Sequence, residues 1–281
     1  MRYFETLFQA DNRIKLLAQS RLMPKVIFGV ATLILFLFFK DIPMDKLGTL
    51  WVIFFCTQAL AYLYIIFKIN ISFKNFKKRS KEIWMYNKTF GLNVYLGSLF
   101  AVGFSTLTQV FIGYFGTDNS GVGFYSLALV LSMPLAFIPN TIATTHYKEF
   151  SQSNEIPKKL LLITLGLSGV ALLAIWMLVP PFVLLFYGEE YVSVIKINFI
   201  VSFGVILYGM GDFFNRFLGA NGQGKALRNS SFFVGAGLLM ASLLLIPKWG
   251  EYGAAYAKLI AGAVYLMIII YHYYRFKNSF K

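Results

Sequence analysis

The stretch LGANGQGKALRNS, residues 218–230, lies between two long apolar runs near the end of the chain. It is similar in sequence to QADNRIKLLAQS, residues 9–20, near the start of the chain. The two stretches share an Ala, a Lys, a Leu and a Ser at identical spacing, at positions 10, 15, 17 and 20 and at positions 220, 225, 227 and 230. Both lead into another apolar run, which indicates that one structural unit is used twice.

Apolar runs of about 20 residues, the length that a membrane-spanning helix needs, recur along the whole chain. Of the 281 residues, 58% are hydrophobic and only 14% are charged, which is too little polar surface for a water-soluble domain. The runs are continuous rather than alternating, which excludes a membrane β-barrel. The sequence therefore predicts an all-α, polytopic bundle of transmembrane helices.

Charged residues, Pro and Gly divide the apolar runs into eight predicted spans. They cover residues 23–39, 47–67, 86–111, 122–144, 160–179, 192–218, 226–246 and 252–274. Pro134 and Pro139 predict a kink or a break within the fourth span, because proline cannot donate a backbone hydrogen bond. The connections are short, so we expect no extramembrane domain.

Basic residues predict the orientation of these spans. Of the 26 Lys and Arg residues, 21 fall on one side of the membrane and four on the other, while Lys258 lies inside the last span. The excess of basic residues in cytoplasmic loops places the first side, with both termini, in the cytoplasm. The net charge of +14 then needs no nucleic-acid partner. The basic cluster at residues 74–81 fits a loop that touches anionic lipid headgroups, or one that gathers an anionic substrate.

The two copies of the repeated stretch are separated by six predicted spans, which returns both to the cytoplasmic side. Same-side repeats six helices apart are typical of transporters built from two parallel halves. The chain then holds the last eight helices of a twelve-helix, two-module fold, without the first four. The predicted domains are a cytoplasmic loop with an amphipathic helix (1–22), two helices of an N-terminal module (23–70), a basic cytoplasmic linker (71–85) and a six-helix C-terminal module (86–281).

Polar side chains inside the spans are the candidates for a binding site, because they are costly in lipid and usually face the protein interior. The sixth span carries a polar stripe on one face, formed by Asn198, Ser202, Asp212 and Arg216. Asp212 and Arg216 are four residues apart and can pair. The stripe fits the lining of a hydrophilic pathway, and it equally fits a polar seam that only joins helices.

Lys258 is the cation of the last span, in line with the small residues Ala254 and Gly262. Small residues allow close helix approach, so this face should point into the bundle. Lys258 would then attract a phosphate or an acidic sugar, or else it snorkels to the external headgroups. Three further cavity candidates lie on the third and fourth spans, at Asn93, Gln109 and Asn140.

The sequence contains no recognisable catalytic constellation. Cys56 is the single cysteine, and the two histidines are His146 and His272, so neither a disulfide nor a His/Cys metal cluster can be built. The phrase GQGK, residues 222–225, follows no strand and so does not predict a phosphate-binding loop. We expect no catalytic residue, metal or cofactor, and a transporter rather than an enzyme.

Four phrases occur in an informative order: GVGFYSLA at 121–128, LFYGEEY at 185–191, FLGANGQGK at 217–225 and IPKWGEYGAA at 246–255. Together they resemble the phrases of polysaccharide biosynthesis flippases, which belong to the superfamily of multidrug, oligosaccharidyl-lipid and polysaccharide exporters. The chain departs from many relatives late in the third span. There Thr106, Thr108 and Gln109 replace an acidic residue, which puts that residue's role in ion coupling in doubt.

The resemblance implies a multi-pass protein of the bacterial inner membrane that moves a polyprenyl-pyrophosphate-linked oligosaccharide for O-antigen or capsule-type polysaccharide. Its partners would be that lipid-linked oligosaccharide, membrane lipids and the polysaccharide polymerase machinery. Two alternatives stay open. A cation-coupled drug antiporter of the same superfamily would need Asp212 as its intramembrane carboxylate. A membrane polymerase or glycosyltransferase is disfavoured by the short loops.

Overall fold

The computed structural model describes residues 13–38, 47–68, 75–116 and 119–280. Within these ranges the secondary structure is helical and no strand occurs, as the composition predicts. The chain forms two compact units, Met1–Ser80 and Lys81–Lys281. The boundary between them falls inside the segment 71–85.

The first unit contains two long helices that pack against each other. They are α1, Ile14–Phe38, and α2, Leu47–Lys68. Phe28 of α1 and Phe54 of α2 meet edge to face, with their ring centroids 5.5 Å apart. Val26 and Val30 are exposed on α1, which suits a helix surrounded by lipid.

The second unit contains most of the described helices. Their bounds are α3, Phe76–Tyr86, which begins in the first unit, then a π-helical segment, Asn87–Gly91, α4, Leu92–Phe115, α5, Ser120–Ser132, α6, Pro134–Thr145, α7, Tyr147–Phe150, α8, Lys158–Tyr187, α9, Val192–Ala220, and α10, Gly224–Asn278. The first three of these segments are continuous, so the third predicted span begins ten residues earlier than expected.

Five helices in the described ranges are long and apolar enough to cross a membrane: Phe76–Phe115, Ser120–Thr145, Lys158–Tyr187, Glu189–Ala220 and Gly224–Asn278. The last holds two predicted spans, because the chain turns back at Gly250. This residue has φ 53° and ψ −130°, a conformation that favours glycine. The Cβ position of Gly237, in the first half of α10 (residues 224–249), lies 3.8 Å from Val264 in the second half (residues 251–278). The two halves therefore run side by side.

The predicted irregularity in the fourth span is also present. α5 ends at Ser132 and α6 begins at Pro134, while Met133 between them keeps helical dihedral angles. Ala136 donates its backbone N–H to the carbonyl of Met133 rather than to Ser132. The two helices thus form one span with a local change in hydrogen bonding.

α9 is the central helix of the second unit, with contacts to α5, α6, α8 and α10. Two hydrophobic clusters surround it. Phe213 and Phe217 are fully buried in one cluster, and Ile197 and Val201 are fully buried in the other. These clusters fix the rotation of α9 and therefore decide which neighbour each of its polar residues meets.

Candidate functional site

A cavity of about 300 Å³ lies among α4, α5, α6, α9 and the second half of α10. Polar groups enter it from three of these helices: Ser105, Thr106 and Gln109 of α4, Tyr208 of α9 and Lys258 of α10. Apolar side chains such as Leu129 and Val205 complete the wall. A concave site with a few converging polar groups in an apolar wall is typical of a ligand pocket.

Lys258 is held at this cavity by the packing of its own helix. A Cβ atom on Gly204 of α9 would lie 2.9 Å from the backbone nitrogen of Leu259, so the two helix backbones almost touch here. Gly262 makes the matching contact one turn further along α10. Lys258 Nζ lies 4.7 Å from the ring centroid of Tyr208, within the range of a cation–π interaction. The side chain therefore turns towards α9 rather than towards the end of its own helix.

Asp212 lies one turn further along α9 than Tyr208. The hydroxyl of Tyr265 donates a hydrogen bond to Asp212 Oδ1 over 3.0 Å. The rings of Tyr265 and Tyr208 lie 4.8 Å apart, so the two tyrosines connect Asp212 with the cavity. Tyr265 was not identified from the sequence. Its position seven residues after Lys258, on the same face of the helix, is the signal that could have revealed it.

The charges of this cluster do not cancel. The carboxylate of Asp212 interacts electrostatically with both Arg216 and Lys258. Lys258 thus adds a second cation near this carboxylate, while the pairing of Asp212 with Arg216 stays a prediction. One carboxylate and two cationic side chains have a positive formal charge in sum, and charges act more strongly in a site away from bulk water. The cluster can attract an anionic ligand.

None of the four residues of the predicted stripe is among the described residues that line this cavity, and Asn198 and Ser202 bond to other helices instead. Asn198 donates from Nδ2 to the carbonyl of Ala128 over 3.1 Å and to Ser132 Oγ over 2.8 Å. Ser202 Oγ accepts a hydrogen bond of 2.8 Å from Trp176 Nε1. Asn198 is 1% exposed and Ser202 is fully buried. They join α9 to α5 and α8, as the polar-seam interpretation of the stripe describes.

The three candidates outside α9 and α10 are found in separate places. Gln109 lines the cavity and donates from Nε2 to Ser126 Oγ over 3.3 Å. Asn93 accepts a hydrogen bond of 2.8 Å from Arg228 Nη1, and Asn140 accepts one of 3.5 Å from Thr144. Neither of these two asparagines is among the described residues that line the cavity. The structure thus brings Gln109 and Lys258 together in the cavity lining, while Asp212 is linked to that lining through Tyr265 and Tyr208.

The hydroxyl groups of α4 explain how so polar a helix can lie in a membrane. Ser105 donates to the carbonyl of Val102 over 2.8 Å, and Thr106 donates to the same carbonyl over 2.8 Å. Hydroxyl hydrogens that are satisfied by the preceding turn leave the oxygen lone pairs to accept hydrogen bonds. The α4 wall therefore presents acceptors opposite the cation of α10.

Comparison with known proteins gives the family of the chain. The sequence profile of the polysaccharide biosynthesis protein family matches residues 1–147, which is more than half of the chain. The chain belongs to the polysaccharide biosynthesis protein family. The resemblance carried by the four phrases is confirmed at this level.

The chain is also similar to the capsular polysaccharide biosynthesis protein CapF of Staphylococcus aureus. The two sequences are 24% identical over 283 residues, which covers 96% of this chain and 69% of CapF. No solved structure matches the chain. The chain is thus a membrane protein of polysaccharide biosynthesis whose cavity combines hydroxyl, amide, aromatic and cationic groups.

Proposed function

We propose that this polysaccharide biosynthesis protein is a flippase, which moves a polyprenyl-pyrophosphate-linked oligosaccharide across the bacterial cytoplasmic membrane. The family and the membrane-spanning helices support a membrane protein of polysaccharide biosynthesis. A flippase changes only the location of its substrate and needs binding groups rather than reactive ones. The proposal therefore describes a transporter and not an enzyme.

The single observation that carries the proposal is the position of Lys258 in the 300 Å³ cavity, 4.7 Å from the Tyr208 ring. A cation attracts a phosphate or an acidic sugar. The tyrosine ring can contact the apolar face of a sugar, while Gln109 and the α4 hydroxyl groups can hydrogen-bond its hydroxyls. The volume is at the lower end of known ligand pockets, so the cavity would hold one part of an oligosaccharide at a time.

The lipid part of the substrate would stay in the bilayer during transport. The exposed apolar side chains of α8, among them Leu162, Leu173 and Met177, give this helix a surface that matches lipid. The glycan would pass through the polar cavity, which must become accessible from each side of the membrane in turn. The localisation that we propose is the inner membrane, with both termini cytoplasmic and the polymerase machinery as a partner.

The structure offers less support for the two alternatives. A cation-coupled drug antiporter would use Asp212 to bind a proton or Na⁺, and this carboxylate lies within electrostatic reach of two cations, Arg216 and Lys258. A site with surplus positive charge repels a further cation. A membrane polymerase or glycosyltransferase usually carries its catalytic residues on a large loop, and the connections between the predicted spans are short.

A complementation assay tests the proposed function. In a strain without its own copy of the gene, Lys258→Gln should lower surface polysaccharide about tenfold or more, since a charge-assisted hydrogen bond contributes about 1.5–3 kcal/mol. Lys258→Arg keeps the charge and should retain part of the activity. Lys196→Gln, at an exposed position of α9, removes the same charge outside the cavity and should have no effect. Normal polysaccharide with Lys258→Gln, at an equal level of protein in the membrane, would refute the cationic-cavity mechanism.

The same strain tests the orientation. An alkaline phosphatase fused after Lys281 is active only outside the cytoplasm, so the fusion should be inactive. A fusion at the predicted external turn near Gly250 should be active. The reverse pattern would contradict the orientation and leave the identity of the cavity unaffected.

A further inference from the structure

A second cavity, of about 450 Å³, lies where the two ends of α10 meet. One wall is formed by the turn between α9 and α10 together with the first turns of α10, and the other by the last turns of α10. Its hydrogen-bonding and charged groups are Gln223, Lys225, Asn229, His272, Arg275 and Ser279. None of the described residues that line it is acidic.

The polar groups of this cavity are mainly donors. Lys225 and Arg275 carry positive charges, and both side chains are exposed. Asn229 Oδ1 accepts hydrogen bonds from Arg228 Nε over 3.2 Å and from Arg228 Nη2 over 3.1 Å. The Asn229 amide therefore has its acceptor occupied and its NH₂ group left for a ligand. Two cations and an amide donor form a site for an anion.

The backbone at the start of α10 also contributes positive electrostatic potential to the cavity. α10 begins at Gly224 without a side-chain cap, so the N–H groups of Lys225 and Ala226 have no acceptor within the helix. Because the first turn of α10 lines the cavity, the positive end of the helix dipole lies beside it. This contribution strengthens the anion site, although the cationic lining defines it.

Hydrogen bonds from a neighbouring segment hold both walls in place. Asn221 Nδ2, in the turn, donates to the carbonyl of Phe150 over 2.9 Å and to that of Phe217 over 3.0 Å. The hydroxyl of Tyr273, in the opposite wall, accepts a hydrogen bond of 3.1 Å from the backbone N–H of Ile156. The walls are therefore hydrogen-bonded to residues 150–156, which keeps the two ends of α10 in place around the cavity.

We propose that this cavity binds a phosphate group, either that of an anionic membrane phospholipid or free inorganic phosphate. Phe276 and Phe280 lie in the lining beside the donors, an arrangement that suits a lipid headgroup followed by its glycerol and acyl chain. Both ends of α10 lie on the side of the membrane that the basic residues predict to be cytoplasmic. Anionic lipids are concentrated on that side. The cavity is separate from the Lys258 cavity and does not depend on the proposed transport function.

Native mass spectrometry of the full chain in a mild detergent tests the proposal. Short-chain phosphatidylglycerol is titrated, and the one-lipid adduct is measured. The variant Lys225→Gln with Arg275→Gln should bind about tenfold more weakly or worse, because it removes both cationic side chains of the lining. The matched control, Lys158→Gln with Lys159→Gln, removes the same charge from the exposed start of α8 and should bind like the unchanged protein.

Two further probes distinguish the sources of the phosphate. If inorganic phosphate forms a specific adduct and displaces phosphatidylglycerol at millimolar concentration, free phosphate is the ligand. If phosphatidylglycerol binds and inorganic phosphate does not compete, the ligand is a lipid headgroup. Lys225→Arg with Arg275→Lys keeps both charges and should retain most of the binding. Equal binding by the glutamine variant and the unchanged protein, or an equal loss in the α8 control, would overturn the proposal.

Discussion

Two groups of polar residues on the same helix, α9, behave differently. Asn198 and Ser202 are buried, and their side chains bond to α5 and α8 at distances of 2.8–3.1 Å. Tyr208 and Asp212 lie further along the helix and meet the second half of α10, where the charge of Lys258 adjoins a cavity. The first group is a satisfied seam, and the second is a charged cluster next to empty space.

The difference comes from the neighbours rather than from α9 itself. The seam residues bond to neutral partners on other helices, and buried polar groups that are paired in this way hold helices together. The charged cluster combines one carboxylate with two cations, and one of these cations, Lys258, lines a cavity. In a membrane, where unpaired polar groups are costly, the second arrangement needs a function to account for it.

The largest effect on stability is expected at Gly204, the glycine that lies between the two polar groups along α9. A substitution there changes the packing of the helices without changing any charge. A methyl group at Gly204 would meet the backbone of Leu259 at 2.9 Å, and backbone cannot move aside as a side chain can. Gly204→Ala should therefore destabilise the bundle by about 1–3 kcal/mol. The measurement is the free energy of unfolding in mixed micelles.

Gly103→Ala on α4 is the matched control, because no atom lies within 4 Å of its Cβ position. This change should be neutral or stabilising by roughly 0.5–1 kcal/mol, since alanine favours helix more than glycine does. Equal effects of the two substitutions would mean that α9 and α10 do not approach as closely as the structure shows.

The sequence was sufficient to predict the helices but not to divide the polar stripe. Continuous apolar runs and turn residues gave all six spans of the second unit, including the turn at Gly250, because span length and glycine turns are local properties. The separation of Asn198 from Asp212 depends on which helix faces each residue. That is a long-range property, and the 3.6-residue period carries no information about it.

The same limit explains the residues that were missed. Tyr208 and Tyr265 look like ordinary membrane aromatics in the sequence, and only their contacts with Lys258 and Asp212 reveal a role. Lys258 could be found because a charge inside a span is rare. Asn93 was found by the same polarity argument, yet its amide oxygen instead holds Arg228. Polarity inside a span identifies interior positions, but not the site to which each one belongs.

A smaller effect, the coupling energy between Asp212 and Lys258, tests whether the charged residues stabilise one another. Because Asp212 interacts with Lys258, the combined variant Asp212→Asn with Lys258→Gln should cost less than the sum of the single changes. The coupling energy should be about 1 kcal/mol, within the range for interacting residues. The unfolding free energies of the four proteins give this value directly. Asp212→Asn combined with Asn198→Ala should instead be additive, because these residues lie about 21 Å apart along the helix.

The smallest expected effect concerns the seam. Asn198→Ala removes the two hydrogen bonds to α5, and such bonds between membrane helices contribute about 0.6 kcal/mol on average and about 1.7 at most. Ser98→Ala is the control, because the Ser98 hydroxyl bonds only to its own helix at Tyr95 and should contribute almost nothing. Surface polysaccharide per folded molecule should be unchanged in both variants. If Asn198→Ala abolished polysaccharide export without lowering stability, Asn198 would belong to the transport pathway, and the distinction between seam and cavity would be wrong.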